Sequence, residues 1–227
     1  MQQDVPKIGY FQQRKLRSFY QNFVGNADLA FLFGDQSGNT TELLTQMGVK
    51  TVCIQPIAAF IPTLRSKLTK NNKCILVHED VGAFITEFFY NGIYERNILP
   101  YSSNLSASER QEYVKITTLD ELIMRFGRPA LCHINGEGYE GEVLKGLNQP
   151  IPYIIVTFYS FTQEKTAAIL RRLLQLGNYE FNWKFTGETK LISKDWLSAK
   201  DLNQSMFKFG KENYSGEILA RIQYPND

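Results

Sequence analysis

Residues 30 to 42 read Ala-Phe-Leu-Phe-Gly-Asp-Gln-Ser-Gly-Asn-Thr-Thr-Glu, and this stretch decides the fold. The apolar segment Leu29–Phe33 predicts a buried strand, and the residues from Thr41 onward predict a helix. Between them stand Gly34 and Gly38, which let the backbone pass close to a ligand and leave the N–H groups at the helix start facing it. This order is typical of nucleotide-type sites in α/β sheets, although glycine pairs also follow strands in ordinary turns.

Short apolar strands alternate with helices along the rest of the chain, without an internal repeat or a linker. This alternation predicts one domain over residues 1–227, built on a doubly wound, mostly parallel α/β sheet with a late antiparallel pair. Residues 1–25 form an N-terminal helical extension whose aromatic stripe indicates either core packing or the wall of a pocket. The predicted central strands are Leu29–Phe33, Thr51–Ile54, Cys74–Val77, Leu131–Ile134 and Tyr153–Tyr159, and the predicted closing pair is Tyr179–Trp183 with Lys190–Ile192. Phe84–Tyr90 is expected to be a hairpin arm or an outer strand. Asn97–Ser108 is expected to be a loop.

Composition narrows the class of protein. The 227 residues are 43% hydrophobic and 21% charged, as in ordinary soluble globular proteins. The net charge of +2 gives no basic face, so no nucleic-acid partner is expected. No apolar run approaches the ~20 residues of a membrane helix, and the polar N-terminus does not resemble a signal peptide. We therefore expect a cytoplasmic protein without a membrane partner.

The three cysteines, Cys53, Cys74 and Cys132, lie in apolar strand-like segments. Their odd number and the absence of C-x-x-C spacing indicate reduced core residues and no disulfide framework. With only two histidines in the chain, no metal site is expected.

A second motif spans residues 134 to 147 and reads Ile-Asn-Gly-Glu-Gly-Tyr-Glu-Gly-Glu-Val-Leu-Lys-Gly-Leu. It resembles the I-D-V-E-G-Y-E-x-E-V-L-K-G-L signature of FkbM-type methyltransferases. Residues 33–42 are similar to the V-G-A-N-x-G-N-x-T-E loop of that family, residues 118–122 match its T-L-D-E-L helix start, and residues 177–188 are similar to its closing strands. The resemblance covers nearly the whole chain.

The resemblance implies a class I methyltransferase fold and transfer of a methyl group from S-adenosylmethionine, commonly to a hydroxyl oxygen. The acceptor would be a small metabolite, a glycan or a peptide product. In such a fold the cofactor lies across the carboxyl ends of the strands. The expected cofactor contacts are Gly34, Gln36, Gly38, Gln55, Asp80 and Asn135. The candidate catalytic residues, which would contact the acceptor, are Glu137 and Asn135. Two of these residues have ordinary alternatives: Asp80 as a surface-loop charge, and Glu137 as the cap of the helix that starts near Tyr139.

Several positions depart from the family pattern. Leu32, Gln55, Asn135 and Ser160 stand where the family carries acids, and Gln36 replaces the loop asparagine. A neutral acceptor makes a hydrogen bond roughly half as strong as a carboxylate does. Two hypotheses therefore remain: a methyltransferase whose other contacts compensate, and a non-catalytic binding or scaffold protein that has lost S-adenosylmethionine.

His133 precedes Asn135 on the same predicted strand. We expect strand alternation to point His133 away from Asn135, and we favour a partly buried histidine bonded to a helix over a ligand-binding one. The sequence carries no signal for the identity of the acceptor or for the oligomeric state.

Overall fold

The structure is a computed structural model that describes residues 9–68, 72–91, 111–208 and 213–224. Its helices are α1 (Tyr10–Tyr20), α2 (Asn39–Gln46), α3 (Ile61–Leu68), α4 (Leu119–Phe126), α5 (Glu140–Lys145), α6 (Gln163–Leu176) and α7 (Ala199–Phe207), with a 3₁₀ turn at Ala58–Phe60. Its strands are β1 (Leu29–Phe33), β2 (Lys50–Ile54), β3 (Cys74–Val77), β4 (Asp80–Val81), β5 (Thr86–Asn91), β6 (Gln111–Thr117), β7 (Leu131–Ile134), β8 (Tyr153–Tyr159), β9 (Tyr179–Phe185) and β10 (Ser215–Ile222).

Seven strands form the main sheet in the order β3-β2-β1-β7-β8-β10-β9. Strands β3, β2, β1, β7 and β8 run parallel to one another, and β10 runs antiparallel between β8 and β9. The chain winds outward from β1 to β3 and then returns to place β7 on the other side of β1, so the strand order reverses between β1 and β7. The predicted doubly wound, class I methyltransferase-like sheet with a late antiparallel pair is confirmed.

The sheet is covered on both faces because its strands alternate apolar side chains up and down. Leu32 packs with residues of α1 and α2, including Phe19 and Leu44, in one buried cluster. Phe31 packs in the opposite cluster, which contains residues of α4 to α7. The aromatic stripe of α1 is divided, because Phe19, Tyr20 and Phe23 are buried whereas Tyr10 and Phe11 remain 73% and 78% exposed. No helix in these described ranges is long and apolar enough to cross a membrane.

The closing strands differ from the sequence prediction. Strand β9 pairs with β10, and the predicted strand Lys190–Ile192 makes only a single backbone bond there, from the Ile192 N–H to the Trp183 carbonyl at 2.9 Å. Strand β10 is longer and more apolar, so it forms the better ladder.

Helix α7 and a second, small sheet were not predicted, whereas the predicted arm Phe84–Tyr90 is confirmed. Helix α7 begins after Ser198, whose side chain accepts a hydrogen bond from the Asp201 N–H. The expected arm Phe84–Tyr90 corresponds to β5, which pairs antiparallel with β6 in a second, three-stranded sheet of order β4-β6-β5. The predicted loop Asn97–Ser108 lies outside the described residues.

Candidate active site

A cleft of about 410 Å³ opens where the strand order reverses, at the carboxyl ends of β1, β7 and β8. Open α/β sheets bind their ligands in this crevice. The lining residues come from the end of β1, the β1–α2 loop and the start of α2, from β7 and the turn after it, and from β8, β10 and the residue after β9: Leu32, Phe33, Gly34, Asp35, Gln36, Ser37, Thr40, His133, Asn135, Glu137, Thr157, Tyr159, Thr186, Ser215 and Glu217. Four of the predicted site residues, Gly34, Gln36, Asn135 and Glu137, therefore meet in one cleft.

Gly34 is required by the close approach of two strand ends. Its φ is +78°, and a Cβ atom at this position would lie 2.0 Å from the Asn135 carbonyl oxygen. Gly38 has a φ of +66°, and a Cβ there would lie 2.8 Å from Leu64 Cδ2. The first glycine thus brings Asn135 beside the loop, and the second lets the loop pack on α3.

The start of α2 is capped from within the loop. Asp35 Oδ2 accepts hydrogen bonds from the Thr41 N–H at 2.8 Å and from the Thr41 hydroxyl at 2.7 Å. The Ser37 hydroxyl accepts one from the Asn39 N–H at 3.2 Å. These N–H groups were expected to face a ligand, and that expectation is wrong because the loop's own oxygens bind them. A ligand at this point meets the carboxylate of Asp35 instead.

Glu137 reaches across the mouth of the cleft. Its Oε1 accepts a hydrogen bond from Gln36 Nε2 at 2.5 Å, which ties the turn after β7 to the β1–α2 loop. Its φ of +50° places a non-glycine residue in the left-handed region, at a cost of about 1–2 kcal/mol. Strain of this kind is common where a side chain must be aimed at a site.

Glu140 holds the turn that presents Glu137. The residue is 3% exposed, and its carboxylate accepts the N–H groups of Gly136 at 3.1 Å and Gly138 at 3.0 Å. Burial raises the pKa of Glu140, and these backbone bonds oppose the rise. Glu137 therefore does not cap α5, whose first turn has no side-chain cap, and it lines the cleft instead.

A row of polar side chains forms the floor. Thr157 of β8, Glu217 of β10 and Lys184 of β9 stand directly opposite one another across the sheet. Lys184 Nζ lies 2.6 Å from Glu217 Oε2, and both residues are buried. A lysine this deeply buried requires such a partner.

His133 lines the same cleft as Asn135, so the expectation that it points away is wrong. Residues two apart on a strand share a face. The Tyr20 hydroxyl of α1 lies 3.2 Å from His133 Nδ1, which confirms a histidine bonded to a helix, and Nε2 lies 3.9 Å from Glu217 Oε2. Burial lowers the pKa of His133, while the nearby Glu217 opposes that shift. The lowered pKa of His133 favours the neutral imidazole.

Gln55 and Asp80 do not line this cleft. Gln55 is 1% exposed, and its Oε1 accepts the Ile57 N–H at 2.9 Å. Within the part of the chain that is described, its buried Nε2 has no hydrogen-bond partner. Asp80 is buried in β4, where its Oδ1 accepts the Val81 N–H at 2.8 Å. Their predicted contacts with a cofactor stay predictions.

Three carboxylates, on Asp35, Glu137 and Glu217, border the cleft. One cation, on Lys184, pairs with Glu217 from below. The cleft therefore carries a net negative charge and favours a cationic ligand. Comparison with the family pattern missed Asp35 and Glu217, because it examined only the positions where the family carries acids. Among the described residues, no group of three histidine, cysteine or acidic side chains is placed to hold a metal ion.

No protein-family model matches the sequence, and no curated protein matches it. Among solved structures, the chain is similar to a precorrin-6y C5,15-methyltransferase from Geobacter metallireducens, with 13% identity, a TM-score of 0.49 and coverage of 94% of this chain and 85% of the other. A putative O-methyltransferase from Klebsiella pneumoniae gives 11% identity and a TM-score of 0.48 over 96% and 82% of the two chains. An rRNA methylase from Streptococcus thermophilus gives 10% and 0.48 over 91% and 94%. Likeness at this level carries no argument about what this chain binds.

Proposed function

We propose that the chain is an S-adenosylmethionine-dependent methyltransferase that methylates a hydroxyl oxygen of a small metabolite, a glycan or a peptide product. The observation that carries the proposal is the negatively charged cleft at the reversal point of the sheet. S-adenosylmethionine carries a sulfonium and an ammonium group against one carboxylate, so it is a net cation. The resemblance to FkbM-type methyltransferases supports the same activity.

The residues present fit such a cofactor at its methionine end. Asp35 and Glu137 offer carboxylates to the cationic groups, and Asn135 and Gln36 offer amides at the loop. When bound, S-adenosylmethionine supplies an electrophilic methyl group on sulfur. Displacement at this carbon depends chiefly on the alignment of nucleophile, methyl carbon and sulfur.

The acceptor hydroxyl must lose a proton as it attacks, and the amide of Asn135 cannot take one near neutral pH. Glu137 is a suitable group, because Gln36 bonds only its Oε1 and its Oε2 has no partner within the described ranges. In this proposal Asn135 orients the acceptor and Glu137 receives its proton.

A second candidate function is a binding or scaffold protein that no longer takes S-adenosylmethionine. Two observations favour it. The Gln55 oxygen, expected at the ribose hydroxyls, already accepts the Ile57 N–H, and Asp35 already fills the start of α2, where a ligand carboxylate would bind. Each contact would have to be replaced or shared when the cofactor binds.

Calorimetric titration with S-adenosylhomocysteine separates the two functions. Micromolar binding supports the enzyme, and no heat at millimolar ligand contradicts it. A Gln55→Glu, Asn135→Asp double variant tests the scaffold hypothesis, which requires the variant to bind a cofactor that the natural chain does not. Leu32→Asp is left out of this variant because Leu32 is buried in the apolar cluster under α1.

A further inference from the structure

A second cavity of about 570 Å³ lies on the face of the sheet covered by α1, at the opposite end of β8 from the cleft. Tyr153, the first residue of β8, and Arg221, which stands opposite it in β10, form the floor. We call this cavity the aromatic groove, and its lining residues are Lys15, Ser18, Phe19, Asn22, Phe23, Tyr153, Thr189, Leu191, Trp196 and Arg221.

One stripe of α1 and its C-terminal turn builds a wall of the groove. Lys15, Ser18, Phe19, Asn22 and Phe23 follow one another at alternating spacings of three residues and one, which places them on one side of the helix and the turn after it. The side chains of this stripe that reach the sheet are aromatic. Such a wall offers flat apolar surface to a ring-shaped ligand.

The groove is closed by aromatic rings from three directions. The ring of Phe23 packs edge to face on Tyr153, with centroids 5.3 Å apart. The guanidinium of Arg221 stacks over the ring of Trp196 at 4.5 Å. Phe23 is itself buried, and the half-buried rings of Tyr153 and Trp196 border the space between α1 and the segment 189–196.

The polar groups of the groove are hydrogen-bond donors. Arg221 binds Glu180 through Nε and Nη2, which leaves Nη1 available. The Lys15 ammonium forms no ion pair, and the Trp196 indole N–H finds no acceptor, within the described residues. None of the ten lining side chains carries a carboxylate. Glu180 already balances the charge of Arg221, so the positive charge of the groove comes from Lys15, which together with these donors favours an anion.

We propose that the aromatic groove is a second binding site, which takes a small organic acid built on a planar aromatic ring. The ring would lie between the Phe23–Tyr153 pair and Trp196, and the carboxylate would meet Lys15, Arg221 Nη1 and the Trp196 N–H. This site is independent of the proposed methyl transfer. The two sites share strands β8 and β10 but have no lining residue in common.

The chain contains two tryptophans, which makes the test direct. Trp183 is fully buried on the other face of the sheet, and its indole N–H donates to Ser205 Oγ at 3.0 Å. An indole ¹H–¹⁵N NMR spectrum therefore gives one signal from the groove and one internal reference, assigned with a Trp196→Phe variant. The probes are indole-3-acetate and tryptamine, which share a ring and carry opposite charges.

The proposal predicts a saturable shift of the Trp196 signal with indole-3-acetate, at a dissociation constant of about 1 mM as expected for a ligand of this size. The Trp183 signal stays in place, and tryptamine binds at least about tenfold more weakly. Lys15→Gln should weaken indole-3-acetate roughly two- to fivefold, whereas Lys200→Gln, an exposed lysine on α7, should not change it. The proposal would be overturned by no shift of the Trp196 signal at an indole-3-acetate concentration ten times the expected dissociation constant, by tryptamine binding as tightly as indole-3-acetate, or by the same loss of affinity in both lysine variants.

Discussion

The most informative single substitution is Glu137→Gln. It removes one negative charge from the mouth of the cleft and keeps an amide oxygen that can still accept the hydrogen bond from Gln36 Nε2. A sphere of the cleft's volume is about 9 Å across, so a cation inside it lies within about 9 Å of the lining carboxylate. At that distance the interaction between two unit charges is about 0.5–2 kcal/mol for effective dielectric constants of 80 to 20. The loss of S-adenosylmethionine affinity should therefore be roughly 2- to 30-fold.

S-adenosylhomocysteine lacks the sulfonium charge, so Glu137→Gln should weaken it much less. The assay is calorimetric titration of both ligands against the natural chain and the variant. Glu142→Gln is the matched control, because Glu142 lies on the same turn-and-helix segment but pairs with Lys145 at the surface. An equal loss for both ligands, or a loss that the control also shows, would refute the electrostatic reasoning.

Three further substitutions or treatments test the fold around the cleft. Gly34→Ala should lower the free energy of unfolding by about 3 kcal/mol or more, because its Cβ would collide with the Asn135 carbonyl. Gly141→Ala, in an open position of α5, should instead raise the free energy of unfolding by about 0.5–1 kcal/mol. Urea denaturation measures both changes. Because burial lowers the pKa of His133 in the folded chain, the unfolded chain binds the proton more readily, so stability should fall as pH drops below the ordinary value of about 6.5. His133→Gln should remove that part of the pH dependence, and an unchanged profile would contradict the assignment. Burial raises the pKa of Cys132 to about 12, so at pH 8 a thiol reagent should modify the half-buried Cys74 before Cys132. Mass spectrometry identifies which cysteine is labelled. Labelling of Cys132 before Cys74 would show that the sheet opens.

The sequence was a good guide to the sheet because its strands are short apolar runs with clear ends. The five central strands were located to within a residue, and the start of α4 was expected from the T-L-D-E-L match at residues 118–122. The closing strands were harder, because the partner of β9 lies about thirty residues further along the chain, beyond helix α7. Local pattern gives no information on such a pairing.

The cleft was predictable only where local motifs reach it. The glycine loop and the turn at residues 135–138 follow strand ends, so their meeting at one edge could be expected. The sequence could not identify Asp35 and Glu217 as site residues. One lies in a loop and the other in an apolar strand, and only the strand order brings them to the same cleft. Gln55 was expected to contact the cofactor, but its side-chain oxygen accepts the Ile57 N–H, and no local pattern in the sequence indicates that hydrogen bond.

The central claim is that carboxylates make this cleft selective for a cation. The most direct measurement is the ratio of the affinities of the natural chain for S-adenosylmethionine and S-adenosylhomocysteine, taken at low and at high salt. The account predicts tighter binding of S-adenosylmethionine, with an advantage that shrinks as salt screens the carboxylates. Binding of S-adenosylhomocysteine that is as tight or tighter, or an advantage that salt leaves unchanged, would contradict it.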